Sequence, residues 1–381
     1  MNRPAGWALV VAMAAATAGT LLAPPWVCAL TAVGAFAALR TGRKAFVAFT
    51  VVTVAVNALL FALLLPGPDA APFFGPISVD ASGALVGITG ALRLAAVLGV
   101  NLAVLSWVPA AVLLDGLRLP VGLMAFLGAV LIAAHDLGRD AARLMDAARL
   151  DGRWPRGLLA KVRAAASLLP PLAVLALRRS RTRAEALRLA GHDTGPRFAP
   201  LVAVTAMAVA GRLAFVAVPN VSLAYAVVFV AGLVFGSRVG ALAGLLGMAI
   251  TNVLLTGLYL VPFANAPAMA LVGALGGLLR RVDFTGRSPA ERWAGRLLAA
   301  SCGLAATVLF SVAADLATWA VVTEYRDTPG SLRALVLAGL AFNVLAAAVN
   351  AVLFAAAVGP VSVAARSAGV LLPDAPPPRS T

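Results

Sequence analysis

The sequence predicts an all-α fold: a polytopic membrane helical bundle of about four plus six transmembrane helices, with a cytosolic helical platform between the two groups. Three observations carry this. Of the 381 residues 62% are hydrophobic and only 12% charged, with a mean hydropathy of +0.97, and a soluble domain of that composition would expose too much apolar surface. Apolar runs long enough to cross a bilayer recur along the chain. Thirteen of the thirty Lys and Arg residues fall between Asp136 and Arg197, a density of charge that bilayer-embedded chain cannot carry.

In the first half the spans are expected at roughly 5–23, 27–39, 45–65 and 84–108. Arg3 and the apolar run from Trp7 to Leu22 imitate a signal peptide, but no convincing cleavage site follows, so a retained first helix is expected. In the second half the spans are roughly 199–217, 223–236, 239–259, 267–279, 297–322 and 333–358; 223–236 and 267–279 are short for a crossing. Charges set the orientation. Arg40, Arg43 and Lys44 place the second loop inside, whereas the loop with Asp69 and Asp80 carries no base and lies outside. Arg238, the group from Arg280 to Arg296, and Arg366 are inside, and the loop with Glu324, Arg326 and Asp327 is outside. Four crossings, the basic stretch and six further crossings then leave both termini cytosolic. The Ala-, Gly- and Arg-rich, Lys-poor composition is a codon bias of GC-rich bacteria, so the expected location is a bacterial plasma membrane.

Two apolar runs remain, 120–135 and 164–177, each with bases on both sides. They are expected as helices at the cytosolic membrane surface, or dipping into it, with Pro170-Pro171 breaking the second. Amphipathic charged helices follow them at about 136–152 and 178–192. A domain boundary is expected at 193–199, where Gly195-Pro196 stops the preceding helix, giving units of 1–195 and 198–360 and a disordered tail over 361–381.

Several function classes lack their residues. The net charge of +15 follows membrane topology, with bases beside apolar spans, rather than a nucleic-acid pattern of interleaved Lys and aromatics. Lys44 and Lys161 are the only lysines and neither follows a phosphate-loop pattern. His135, His192, Cys28 and Cys302 make no metal constellation or disulfide framework. Asp136, Asp140 and Asp146 resemble the aspartate sets that hold magnesium in membrane enzymes acting on lipid-linked substrates, which is the rival reading. The interleaved Arg139 and Arg143 favour i,i+3 ion pairs on a solvated helix instead.

Two long segments carry a resemblance. GALRLAAVLGVNLAVLSWVPAAVLLDGLRLP and SLLPPLAVLALRRSRTRAEALRLAGHD make the first half, about 1–195, resemble the T component (the transmembrane coupling protein) of energy-coupling-factor transporters. In that family two Ala-Arg-Gly-like signatures on coupling helices, here within about 136–195, dock into grooves of paired ABC-type ATPases. Ala148-Arg149 matches the first, with Leu150 at the small-residue position and Gly152 two later. The second aligns as Leu189-Ala190-Gly191, with alanine for the arginine and Arg188 two positions earlier. The resemblance thus implies ATPase coupling through Ala148, Arg149, Arg188 and Gly191. A planar guanidinium fork at a helix end suits acidic or carbonyl groups in such a groove.

The second half, from FAPLVAVTAMAVAGRLAFVAVPN through a run of Gly-rich helices, resembles the S component of the same transporters, a six-helix substrate-binding subunit. Ala199, Ala203, Ala206 and Ala210 give its first helix a small-residue face for close approach to the T-like half. Polar groups expected toward the outer side, Asn220, Tyr225, Asn252, Tyr259 and Asn265, are the candidate substrate contacts, with Asp315 as a rare intramembrane acid. The resemblance implies a fused T–S importer subunit that is not itself an enzyme and binds no cofactor. Its partners would be the lipid bilayer, two ATPase subunits that use ATP, and a vitamin-like molecule, cobalamin before thiamine or riboflavin. Nucleic acid is not among the expected partners.

Overall fold

The computed structural model describes residues 23–39, 71–74, 77–79, 81–107, 120–151, 167–191, 197–214, 222–256, 260–285, 288–322 and 329–367, with scattered residues between 12 and 59 and at 164 and 195. The chain is an all-α bundle. Its first described helices are α1 (Pro25–Ala38) and α2 (Ala81–Trp107), and between them lies a short antiparallel hairpin, β1 (Ala71–Phe74) and β2 (Ile77–Val79), pairing Ala71 with Val79. Then follow α3 (Val121–Leu150), α4 (Leu169–Leu189), α5 (Phe198–Ala214), α6 (Ala224–Phe235) and α7 (Ser237–Thr256). The last described helices are α8 (Leu260–Leu278), α9 (Pro289–Val322) and α10 (Pro329–Ser367), and α10 makes 361–367 helical where the disordered tail was expected to begin. Among the described residues four helical segments are long and apolar enough to cross a membrane: Val121–Leu150, Ser237–Leu255, Pro289–Leu316 and Asn343–Ala364.

Local sequence explains where several helices start and stop. Pro170 and Pro171 open α4 rather than breaking it, because the first turn has no intrahelical use for the N–H groups that proline lacks. The apolar run 164–177 is interrupted there as expected: Ala164 and Ser167 are helical, Leu168 is a turn, and α4 starts at Leu169. Ser288 and Glu291 form a capping box at α9: the Glu291 amide donates to Ser288 Oγ at 3.1 Å, and the Ser288 amide to Glu291 Oε2 at 3.2 Å. Gly236, at φ +93°, ends α6 in the left-handed region and lets α7 begin at once.

Two expectations change. The apolar run 120–135 and the charged helix 136–152 are two halves of one helix, α3, and the apolar 169–177 likewise continues into the charged half of α4. The helix runs on through each junction, in α3 despite Gly138, because the Ala- and Leu-rich sequence on either side favours it. The short run at 267–279 belongs to the nineteen-residue α8, which begins at Leu260 and carries Pro267 within it. By contrast α6 stays at twelve residues and is buried along its whole length.

The core lies in the C-terminal bundle. Phe229, Val228, Val272, Leu353, Phe354 and Val358 are fully enclosed there, with Phe229 packed on Phe354 at a ring separation of 5.0 Å. Glycines bring backbones into direct contact: a Cβ on Gly273 would stand 2.1 Å from the Gly240 carbonyl oxygen, and one on Gly244 2.4 Å from that of Met269. A second core joins the two halves. Phe126, Val130 and Ala133 of α3 and Ala176 of α4 pack on Val202, Ala206 and Val209 of α5. Helix α2 reaches the same region through Leu98, which meets Leu255 of α7.

Candidate functional site

The basic stretch is organised by the crossing of α3 and α4. Arg183 donates from Nη2 to Asp136 Oδ2 at 2.6 Å, and Arg179 Nη1 lies 2.5 Å from Asp140 Oδ2. As the α3 number rises by four the α4 number falls by four, so the helices run in opposite senses through the crossing. Each aspartate is also held from its own helix, Asp136 by Arg139 at 2.7 Å and Asp140 by Arg143 at 3.9 Å. The i,i+3 pairs were expected from spacing. Their partners on α4, 39 and 47 residues away, carry no local signal in the sequence.

Both carboxylates are largely enclosed, at 18% and 12% side-chain exposure, so these pairs hold better than open surface bridges. Asp136 and Asp140 are thus occupied by guanidinium groups, and Asp146 pairs with Arg149 at 3.1 Å. Among the described residues no group of three or more His, Cys, Asp or Glu side chains could hold a metal ion.

Beyond the crossing the two helix ends diverge. Leu150 lies ten residues past Asp140 on α3, about 15 Å of helix, and Leu189 six residues past Arg183 on α4, about 9 Å. Both leucines are almost fully exposed, at 89% and 91%. Next to them, Arg149 and Arg188 are exposed in the last turns of their helices, and Ala148 is half-buried. Gly191 closes α4 with φ +84° and donates its amide to the Arg188 carbonyl at 2.9 Å. The ends share one spacing, Arg149-Leu150-Asp151-Gly152 and Arg188-Leu189-Ala190-Gly191, although Gly152 lies outside the described residues. Alignment to an Ala-Arg-Gly pattern hides this Arg-Leu-x-Gly repeat, and comparing the two ends directly would have found it.

The small-residue face of α5 is buried between the halves. Ala203 and Ala206 belong to the core shared with α3 and α4, Ala210 packs against that core, and Ala199 is buried. Phe126 of α3 meets Phe198 at the start of α5 edge-on, with ring centroids 6.0 Å apart. On its other side α5 packs against α6 and α7, so one helix touches both modules.

Three of the five candidate substrate residues are described. Tyr225 is buried at the start of α6 and meets the Phe310 ring edge-on at 5.1 Å. Asn252 is buried on α7. Asn265 is half-buried on α8, with its Oδ1 enclosed and no hydrogen-bond partner. Gly240 faces Gly273 and Gly244 faces Met269, a register that sets Asn252 and Asn265 about one helical turn apart in height. Asn220 and Tyr259 lie outside the described residues. Asp315, on α9, accepts from Asn343 Nδ2 of α10 at 3.5 Å.

A model of a family of unknown function, DUF6580, matches residues 192–371. No curated protein and no solved structure matches the chain.

Proposed function

We propose that the chain is the fused T–S membrane subunit of an energy-coupling-factor importer for a vitamin or similar micronutrient. The observation that carries this reading is the pair of crossed helices, α3 and α4. Each begins in apolar packing against the C-terminal bundle and ends in an exposed Arg-Leu knob. Two knobs on diverging ends suit two copies of one partner, which is what a pair of ABC-type ATPases presents. ATP is hydrolysed in those subunits, and this chain supplies neither catalytic group nor bound cofactor.

The mechanism follows from the packing. Closure of the ATPases moves the knobs together, and the ion-paired crossing transmits that motion as a unit because its half-buried charge pairs tie α3 to α4 at two successive turns. Helix α5 packs against both α3 and α4. Its alanine face is shallow enough to let the S-like bundle rotate or topple against α3 without dragging large side chains through one another. The bundle would take its ligand from outside, where Asn252 and Asn265 offer amide groups in apolar surroundings. A match of the family model to 192–371 supports treating that part as a unit with its own role. Cobalamin is the first ligand to try, on the resemblance alone.

The test is uptake. Proteoliposomes holding the chain and two ATPase subunits should import labelled cobalamin, thiamine or riboflavin only with ATP inside the ATPase compartment. Uptake that persists without ATPases, or after deletion of 136–163, would contradict coupling through this platform.

A further inference from the structure

Arg212 stands half-buried in the last turn of α5, within an apolar segment expected to cross the bilayer. Nothing in its own bundle can neutralise it. From Thr194 to Val282, the stretch that builds α5 to α8, the sequence holds no Asp or Glu. Asp136 and Asp140 are held by arginines of the platform, and Asp315 by Asn343. Among the described residues Arg212 forms no ion pair. A guanidinium without a counter-charge in apolar surroundings is costly, and an intramembrane charge of this kind marks a functional position.

Packing fixes which neighbours it has. A Cβ on Gly247 of α7 would stand 3.1 Å from that of Ala208, and Leu213 packs beside Leu255, so α5 and α7 run in the same sense. Arg212, one turn beyond Ala208 on the same face, therefore comes level with Thr251 and Asn252. Gly211 draws the start of α6 close: a Cβ there would stand 2.9 Å from Leu223 Cβ and 3.6 Å from the Ala224 nitrogen. Tyr225 thus lies within electrostatic reach of Arg212. It is only 4% exposed, its ring rests edge-on against Phe310, and its hydroxyl has no hydrogen-bond partner among the described residues. The first turn of α6 is buried with it. Ser222 Oγ accepts the Ala224 amide at 3.1 Å, whereas the Tyr225 and Ala226 amides have no acceptor among the described residues. The unsatisfied groups at this corner are thus all donors, one of them a full cation.

We propose that Arg212, Tyr225 and the N-terminus of α6 bind a carboxylate, so that the micronutrient taken by this bundle is an acid with an apolar body. The guanidinium fork matches a carboxylate, and the helix N-terminus adds amides and a favourable dipole. A single negative charge leaves none over in apolar surroundings, which favours a carboxylate over a phosphate dianion. Leu213, Leu223 and Phe310 supply the apolar contacts. The inference names the substrate class of the importer proposed above and rests on that reading for the ligand's being cargo; binding itself needs no ATPase.

The test uses the full chain purified in detergent without ATPases, by equilibrium binding and thermal melting. The probes are acids and their uncharged amides: biotin with biotinamide, and nicotinate with nicotinamide. An acid should bind at least about tenfold more tightly than its amide and raise the melting temperature. Arg212→Gln should abolish that preference, and Tyr225→Phe should weaken acid binding about fivefold while keeping the ring on Phe310. Without ligand, Arg212→Gln should melt no lower than wild type, because it removes an uncompensated charge. If neither acid outperforms its amide, or if the glutamine variant keeps the preference, the proposal is overturned. A ligand-free variant that melts several degrees lower would overturn it too, since Arg212 would then be paired within the fold. Acid-selective binding without ATP-driven uptake would keep this site and sink the importer reading. ATP-driven uptake of a neutral vitamin with no preference for acids would do the reverse.

Discussion

At the scale of single residues, the exposed leucines and the enclosed aspartates have opposite roles. Leu150 and Leu189 touch little within the chain, so replacing either by Asp should leave the melting temperature within about a degree of wild type, since surface changes seldom exceed ~0.5 kcal/mol. The same changes should sharply weaken ATPase binding in a pull-down. Asp136 behaves the other way. Asp136→Asn removes the charge that both Arg139 and Arg183 use, and should destabilise the chain by roughly 1–3 kcal/mol in a melt. Exchanging the pair, Asp136→Arg with Arg183→Asp, should recover part of that loss, and a double-mutant cycle reads the coupling directly. Gly273→Ala places a methyl group where the Gly240 carbonyl stands and should cost about 1–3 kcal/mol, while Gly34→Ala meets open space and is the neutral control.

At the scale of elements, α3 is the helix on which topology turns. Its thirty residues span about 45 Å, enough to cross, yet bases flank it at Arg118 and again from Arg139 onward. The account places both ends on the cytosolic side, with the apolar half lying along α5. Single cysteines at Arg118 and Leu150 in a cysteine-free background should therefore react with a membrane-impermeant maleimide from the same side. Labelling from opposite sides would make α3 a full crossing. Its continuity was not legible in the sequence, because a change from apolar to charged composition, with Gly138 beside it, looks like a boundary. Pro170-Pro171 was legible as an interruption of the run 164–177, and the structure adds that the dipeptide sits in the first turn of the helix that follows. The capping box at Ser288 and the glycine stop at Gly236 are the kind of signal that local sequence does carry.

At the scale of the whole molecule, composition and apolar periodicity made the membrane bundle legible, and charge density marked the platform. The arrangement of the platform was not. The partners of Asp136 and Asp140 lie 47 and 39 residues away, and no local spacing announces such pairs. The expected alanine face of α5 could be read from its i,i+3,i+4 repeat, whereas the groove that α5 forms with α4 and α6 depends on three helices meeting. What results is a molecule in which two diverging arms share one ion-paired joint, and the joint lies against the helix that contacts both halves. The most direct measurement of that design is the mass of the complex purified after co-expression with two ABC-type ATPase subunits. The account predicts two ATPases bound to the wild-type chain, one bound to either Leu150→Asp or Leu189→Asp, and none to the double variant. A wild-type chain that purifies without ATPases, or a double variant that still carries both, would contradict it.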